Sequence, residues 1–147
     1  MIHQILHWAC RLFLGTIFIY AGYTKVENPL QFAAAIEAYK LLPPDIVLRV
    51  VRVLPWFEIV LGILLITGPK IRYAAASAGA LLAFFIAIML LTYLRGIEAD
   101  CGCFGIGEKI SPFTLVRDTL FLLPAAFLVL RPRPGERFHT ERGGAIV

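Results

Sequence analysis

Apolar residues run along this chain in four long blocks, and most polar residues fall between them. The blocks cover about Ile5 to Thr24, Val51 to Thr67, Tyr73 to Leu94 and Phe113 to Leu130. A helix needs roughly 20 mostly apolar residues to cross a hydrocarbon core of about 30 Å. The blocks meet or approach that length and do not alternate with a period of two, which disfavours membrane-spanning strands. Between the first two blocks, Phe32, Ile36, Tyr39 and Lys40 fall at helical spacing with Glu37 opposite, and Pro43-Pro44 ends the run. That pattern predicts a short amphipathic helix lying on the membrane surface. Gly68-Pro69-Lys70 reads as a tight turn, and prolines and glycines among the charges of 131–147 predict a disordered cytoplasmic tail. The expected architecture is all-α: an integral membrane four-helix bundle over residues 1–130, with an interfacial helix between spans one and two.

Composition strengthens this reading. Hydrophobic residues make up 59% of the chain and charged residues only 16%, against about 25% charged in soluble domains. A soluble protein of this size cannot bury so much apolar surface. The net charge of +4 does not point to nucleic acid, because the basic residues form no stripe and several sit at the ends of apolar blocks. The first block is read as a retained helix rather than a signal peptide, since Arg11 interrupts it and no A-x-A-like cleavage site follows. In the third block Ala75, Gly79, Ala83 and Ala87 recur every four residues, a small-residue stripe suited to close packing inside the bundle. Arg11 stands four residues before Gly15, as Glu58 does before Gly62, an echo too brief to define a repeat.

Four spans place both termini on one side of the membrane. Lys70 and Arg72 sit there in a very short turn, with Arg131, Arg133, Arg137 and Arg142 in the tail. The other side carries as many basic residues, but its longer loops dilute them. The positive-inside rule then leans towards cytoplasmic termini in the cell inner membrane, with the Cys101–Cys103 loop periplasmic or extracellular.

That loop, Asp100-Cys101-Gly102-Cys103-Phe104-Gly105, carries the main chemical signal. Two thiols flanking one glycine can close a small strained ring. Strained, exposed disulfides are the labile ones and suit dithiol–disulfide exchange, whereas so short a loop adds little as a staple. A static disulfide that shapes the loop and a soft-metal site remain alternatives, although no histidine lies in the loop. Glu58, Arg117 and Asp118 lie within apolar blocks and call for partners. Equal depth predicts an ion pair between Glu58 and Arg117 beneath the cysteines, with Lys25 joining it. Such a cluster either locks the bundle or serves the thiols as a proton relay or quinone-head site, lined by Tyr20, Tyr23, Trp56 and Phe57. Arg11 is expected to snorkel, and Cys10 to be an inert small hydrophobe. His3 and His7, spaced i, i+4, lack a third ligand and read as interfacial. The sequence shows no phosphate-binding glycine loop, serine triad or complete metal site.

Taken together, these residues resemble the DoxX-like superfamily, in its methylamine utilisation MauE branch. The resemblance rests on Arg11-Leu12-Phe13-Leu14-Gly15, Ala21-Gly22-Tyr23-Thr24-Lys25 with Pro29, and Ala38-Tyr39-Lys40-Leu41-Leu42-Pro43. It continues through Leu54-Pro55-Trp56-Phe57-Glu58, Gly62, Cys101-Gly102-Cys103-Phe104-Gly105 and Arg117-Asp118. It implies a four-helix inner-membrane protein tied to maturation of an exported, disulfide-rich enzyme subunit, with thioredoxin-like or exported disulfide-containing proteins as partners. Thiol–disulfide handling is then the expected role. A non-enzymatic assembly or transport factor with a structural disulfide, and a quinone-binding subunit of a redox complex, are the alternatives.

Overall fold

Each of the four apolar blocks forms a helix that starts or ends beyond its apolar stretch. The computed structural model describes residues 1–68, 70–102 and 108–130. Its helices are α1 (Ile2–Glu27), α2 (Pro29–Ala38), α3 (Pro44–Thr67) and α4 (Ile71–Leu94). A fourth span combines α5 (Pro112–Leu120) and α6 (Leu122–Leu130). α1, α3, α4 and Pro112–Leu130 are each long and apolar enough to cross a membrane. The 24 residues of α3 extend about 36 Å, so its first turns project past a hydrocarbon core. That is why α3 begins at Pro44 rather than near Val51: Asp45, Arg49 and Arg52 are polar but still helical, and Pro44 takes the first helical position, where its missing N–H is harmless. The expected tail over 131–147, Pro69 of the turn and Cys103 lie outside the described residues.

The spans form a closed ring. α1 lies between α3 and α6, and α4 packs on α3, α5 and α6. The core is built from Leu14 and Phe18 of α1, Leu61 and Leu65 of α3, Ala74, Ala78 and Leu82 of α4, and Ala125 and Leu128 of α6. The expected stripe on α4 is corrected here. Ala75 is buried, but Ala83 and Ala87 are exposed, because a strict four-residue row drifts about 40° around a helix at each step. The buried face follows Ala74, Ala75, Ala78 and Leu82 instead. The fourth span is also less regular than expected: α5 and α6 break at Phe121, where Pro124 leaves the Leu120 carbonyl without its helical donor.

Glycine sets the close approach of α1 to α3. A Cβ on Gly62 would stand 2.7 Å from the Gly15 carbonyl oxygen, and one on Gly15 would stand 2.9 Å from the Gly62 carbonyl oxygen. One level along, a Cβ on Gly22 would stand 2.6 Å from the Pro55 carbonyl. The backbones of antiparallel α1 and α3 therefore touch, as small residues permit. The sequence echo between Arg11-Gly15 and Glu58-Gly62 is this crossing viewed from its two helices.

At one end of the crossing stands Arg11, only 2% exposed. It does not snorkel. Its Nε donates to the Leu65 carbonyl (3.0 Å) and its Nη2 to that of Ile66 (2.7 Å), two of the carbonyls a helix C-terminus leaves without donors. Gly68, at φ +84°, ends α3 in the left-handed region, and its missing Cβ leaves room for the guanidinium. A cation at a helix C-terminus also meets the favourable end of the dipole.

α2 follows α1 after a single residue. Its apolar face packs on the end of α3: Phe32 and Ile36 meet Val47, flanked by Val50, Val51 and Leu54. The short helix caps the bundle.

Two measurements test this packing. Gly62→Ala is expected to lower unfolding stability in detergent by about 1–3 kcal/mol, since backbone cannot yield to the new methyl. Gly79→Ala, whose Cβ would meet only Ala125 at 3.5 Å, is expected to be neutral or stabilising. Arg11→Met is expected to cost about 2 kcal/mol through the two lost charge-assisted hydrogen bonds, and hydrogen exchange should rise first in the last turn of α3.

Candidate functional site

At the end of the crossing away from Arg11, α1 and α3 hold a buried ion pair. Lys25 lies in the last turn of α1, and Glu58 lies one turn from Gly62 on α3. The Lys25 Nζ donates to both Glu58 oxygens, at 3.0 and 2.9 Å, and to the Ala21 carbonyl at 3.2 Å. Both side chains are 4% exposed. Phe32 and Phe85 place ring faces 5.4 and 5.9 Å from the ammonium, within cation–π range. Burying both charges makes the pair weak evidence of stability, but losing one partner is strongly destabilising.

The expected Glu58–Arg117 pair is not formed. Glu58 takes Lys25, and Arg117 bonds Asp118 Oδ1 (2.9 Å) and Glu108. The ring order explains the exchange of partners. α3 and α5 are not neighbours, whereas α1 and α3 are pressed together through Gly22, one turn before Lys25. Equal depth in the membrane was a sound criterion, but it does not say which helices touch.

Asp118 and Lys25 nevertheless meet at one place. A cavity of about 40 Å³ is lined by Lys25, Glu58, Asp118, Cys101, Phe32 and Tyr39, among others. Such a volume admits a water molecule. Arg117 does not line it. Its guanidinium holds Asp118 from behind and borders a separate groove beside Tyr20.

The cysteine segment roofs this chamber. Asp100 and Lys109 form an isolated antiparallel bridge, closed by Cys101 N–H to the Glu108 carbonyl (2.7 Å) and Ile110 N–H to the Ala99 carbonyl (3.0 Å). The Tyr39 hydroxyl reaches the Cys101 carbonyl (2.7 Å) and the Asp100 carbonyl (3.0 Å), which pins the segment to the end of α2. Gly102 adopts φ +66° and packs its backbone on Ala35 and Phe32, a conformation that favours glycine there. Cys101 itself is buried, at 4% exposed, which corrects the expectation of an exposed thiol. Its Sγ lies 4.0 Å from a Glu108 carboxylate oxygen. Glu108 thereby links Cys101 to Arg117 and, through it, to Asp118. How the Cys101 and Cys103 sulfurs relate lies outside the described residues.

Tyr20, Tyr23, Trp56 and Phe57 are exposed and do not gather around one cavity. Tyr20 borders the Arg117 groove, and Phe57 borders a cleft between α3 and α4. The expected four-aromatic quinone pocket is therefore not assembled, because these side chains point outward from the bundle. His7 is buried and His3 exposed, so the two do not share a face environment. Sequence reasoning passed over Tyr39 and Glu108 as site residues. Tyr39 stood on the apolar face of the short helix, and a hydroxyl on that face was its signal. Glu108 carried no signal, because only the Asp100–Lys109 bridge sets it beside Cys101.

Comparison with known proteins places the chain in a family. The family model described as methylamine utilisation protein MauE matches residues 3–131. The chain is 34% identical over 122 residues to the methylamine utilization protein MauE of Paracoccus denitrificans, covering 80% of this chain and 65% of that protein. It thus spans just under two thirds of that relative's length. The Paracoccus versutus protein of the same name is 34% identical over 137 residues, covering 89% of this chain and 74% of the relative. That of Methylophilus methylotrophus is 33% identical over 94 residues, covering 63% and 49%. No solved structure matches. With the family match running from the start of α1 to the end of α6, the chain belongs to the methylamine utilisation protein MauE family.

Proposed function

We propose that this protein handles disulfides of exported proteins at the inner membrane, with Cys101 and Cys103 as the exchanging pair. The termini lie in the cytoplasm and the cysteine segment faces the periplasm or cell exterior, the oxidising compartment. The observation that carries the reading is Cys101 roofing a chamber shared by Lys25, Glu58 and Asp118. A thiol reacts as its thiolate, and the Glu108 carboxylate against the Cys101 sulfur is placed to accept its proton.

The exchange balances with a second disulfide as the terminal electron acceptor. A client thiolate attacks the Cys101–Cys103 disulfide, forming a mixed disulfide and releasing the other cysteine as a thiolate. A second client thiolate then attacks the mixed bond, and the client leaves oxidised while Cys101 and Cys103 hold two electrons as thiols. A disulfide-bearing partner of the thioredoxin-like class, reduced in turn, restores the pair. Two carboxylates serve the protons in this scheme. Glu108 lies against the Cys101 sulfur, and Asp118, held by Arg117, lines the chamber beneath it.

The burial of Cys101 favours a second reading, in which the cysteines shape a rigid roof and the bundle assists assembly or transport of a client without exchanging electrons. Serine at both positions separates the two. Loss of client disulfides at normal protein abundance supports exchange, and a client oxidised as before supports assembly. Under exchange, replacing one cysteine should also trap a mixed disulfide visible on non-reducing gels. Asp118→Asn is expected to slow exchange at least severalfold with normal abundance. Lys25→Met is expected to cost about 3–5 kcal/mol of stability by stranding Glu58, and Lys25→Met with Glu58→Met should recover much of it in the same unfolding measurement.

A further inference from the structure

We infer that the cleft between α3 and α4 binds an anionic phospholipid, with its phosphate at Arg49 and an acyl chain along the cleft towards Phe57. The cleft has a volume of about 590 Å³. Two helical stripes face each other across it. On α3 the stripe runs through Ile46, Arg49, Val50, Val53 and Phe57, and on α4 through Leu81, Phe84, Phe85 and Ile88. Both repeat at intervals of three and four residues, the pattern with which a helix normally meets a protein neighbour. Here the helices touch near their connecting turn, where Leu61 and Leu65 share a core with Ile71, Ala74 and Ala78. Farther from the turn the stripes stand apart.

Charge says what fills the gap. Among the described residues Arg49 is the one charged side chain lining the cleft, and it stands at the end where α3 emerges. Arg52 is exposed less than one turn away. Among the described residues neither arginine makes an ion pair; Asp45, one turn before Arg49, does not close on it. From Arg49 to Phe57 the stripe descends about 12 Å along the helix axis. A cation at the mouth of an apolar trough of this depth matches a phosphate with a chain below it, and juxtamembrane cations attract anionic lipid. A neutral ring with a prenyl tail would fill the trough but leave Arg49 unanswered. The occupant would also matter to the site. Ile36, Tyr39 and Phe85 wall both the cleft and the chamber of Cys101, so a chain seated there supports the residue that pins the cysteine segment.

The test uses the full chain, delipidated in a non-ionic detergent, with thermal unfolding read during titration. The probes are dioleoyl phosphatidylglycerol, dioleoyl phosphatidylcholine, glycerol 3-phosphate and a short-chain quinone. Phosphatidylglycerol should raise the unfolding midpoint at concentrations about fivefold below those phosphatidylcholine needs. Arg49→Gln should erase that difference, and Leu81→Trp should abolish the response to both lipids. If Leu81→Trp does not fold, Val53→Trp fills the cleft from its exposed side and should do the same. Equal responses to the two lipids, or an unchanged preference in Arg49→Gln, would overturn the inference. So would glycerol 3-phosphate alone reproducing the shift, or the quinone acting in its place with Arg49 irrelevant.

Discussion

The close approach of α1 to α3 governs where everything else in this protein can be. Gly15, Gly22 and Gly62 let the two backbones meet with no side chain between them. In lipid, helices gain nothing from hiding apolar surface from one another, so contact of this kind must supply the association. It also fixes the register of the two helices to within a residue. Residues that would be costly alone in a bilayer are then set opposite partners: Arg11 reaches the last carbonyls of α3, and Lys25 reaches Glu58. One crossing thus answers the charge at each of its ends.

The consequence for chemistry is that the chamber is held on its rigid side and lighter on the other. Lys25 and Glu58 stand on the two helices that cannot slide. Cys101 and Glu108 adjoin the isolated Asp100–Lys109 bridge, and the Tyr39 hydroxyl and the Gly102 backbone hold the Cys101 side of it to α2. Asp118 comes from a third element, which begins in a capping box of Ser111 and Thr114 and breaks after one further turn and a half.

Much of this was legible in the sequence, and the part that was not has a physical pattern. Four spans, their order and the short helix between the first two follow from apolar runs, because lipid forces every buried backbone group into helix. Glu58, Arg117, Lys25 and Asp118 were grouped beneath the cysteine loop because charges inside apolar runs demand partners; Lys25, Glu58 and Asp118 do line one chamber with Cys101, and Arg117 does not. The pairing was misread because depth is a one-dimensional coordinate. Two residues at equal depth on opposite sides of a ring do not meet, and only the glycines at 15, 22 and 62 encode which helix is beside which. The same limitation moved the aromatic residues. Tyr20, Tyr23, Trp56 and Phe57 have the composition of a binding pocket, but their angular positions send them outward into lipid.

The α3–α4 cleft completes the argument about the ring. Four helices closed around a core must divide their contacts, and the glycine crossing draws α3 hard against α1. α4 is then packed on α3 only near the turn that joins them, and at the other end α2 and its following residues can wedge into the opening. Tyr39 sits at that wedge, one side of its ring facing the cleft and its hydroxyl on the cysteine segment. The tightness of one interface and the looseness of its neighbour are therefore a single feature of the packing. The chamber roofed by Cys101 and Gly102 and the α3–α4 cleft share a wall, and the residue that touches both and bonds the cysteine segment is the tyrosine that caps a helix only ten residues long.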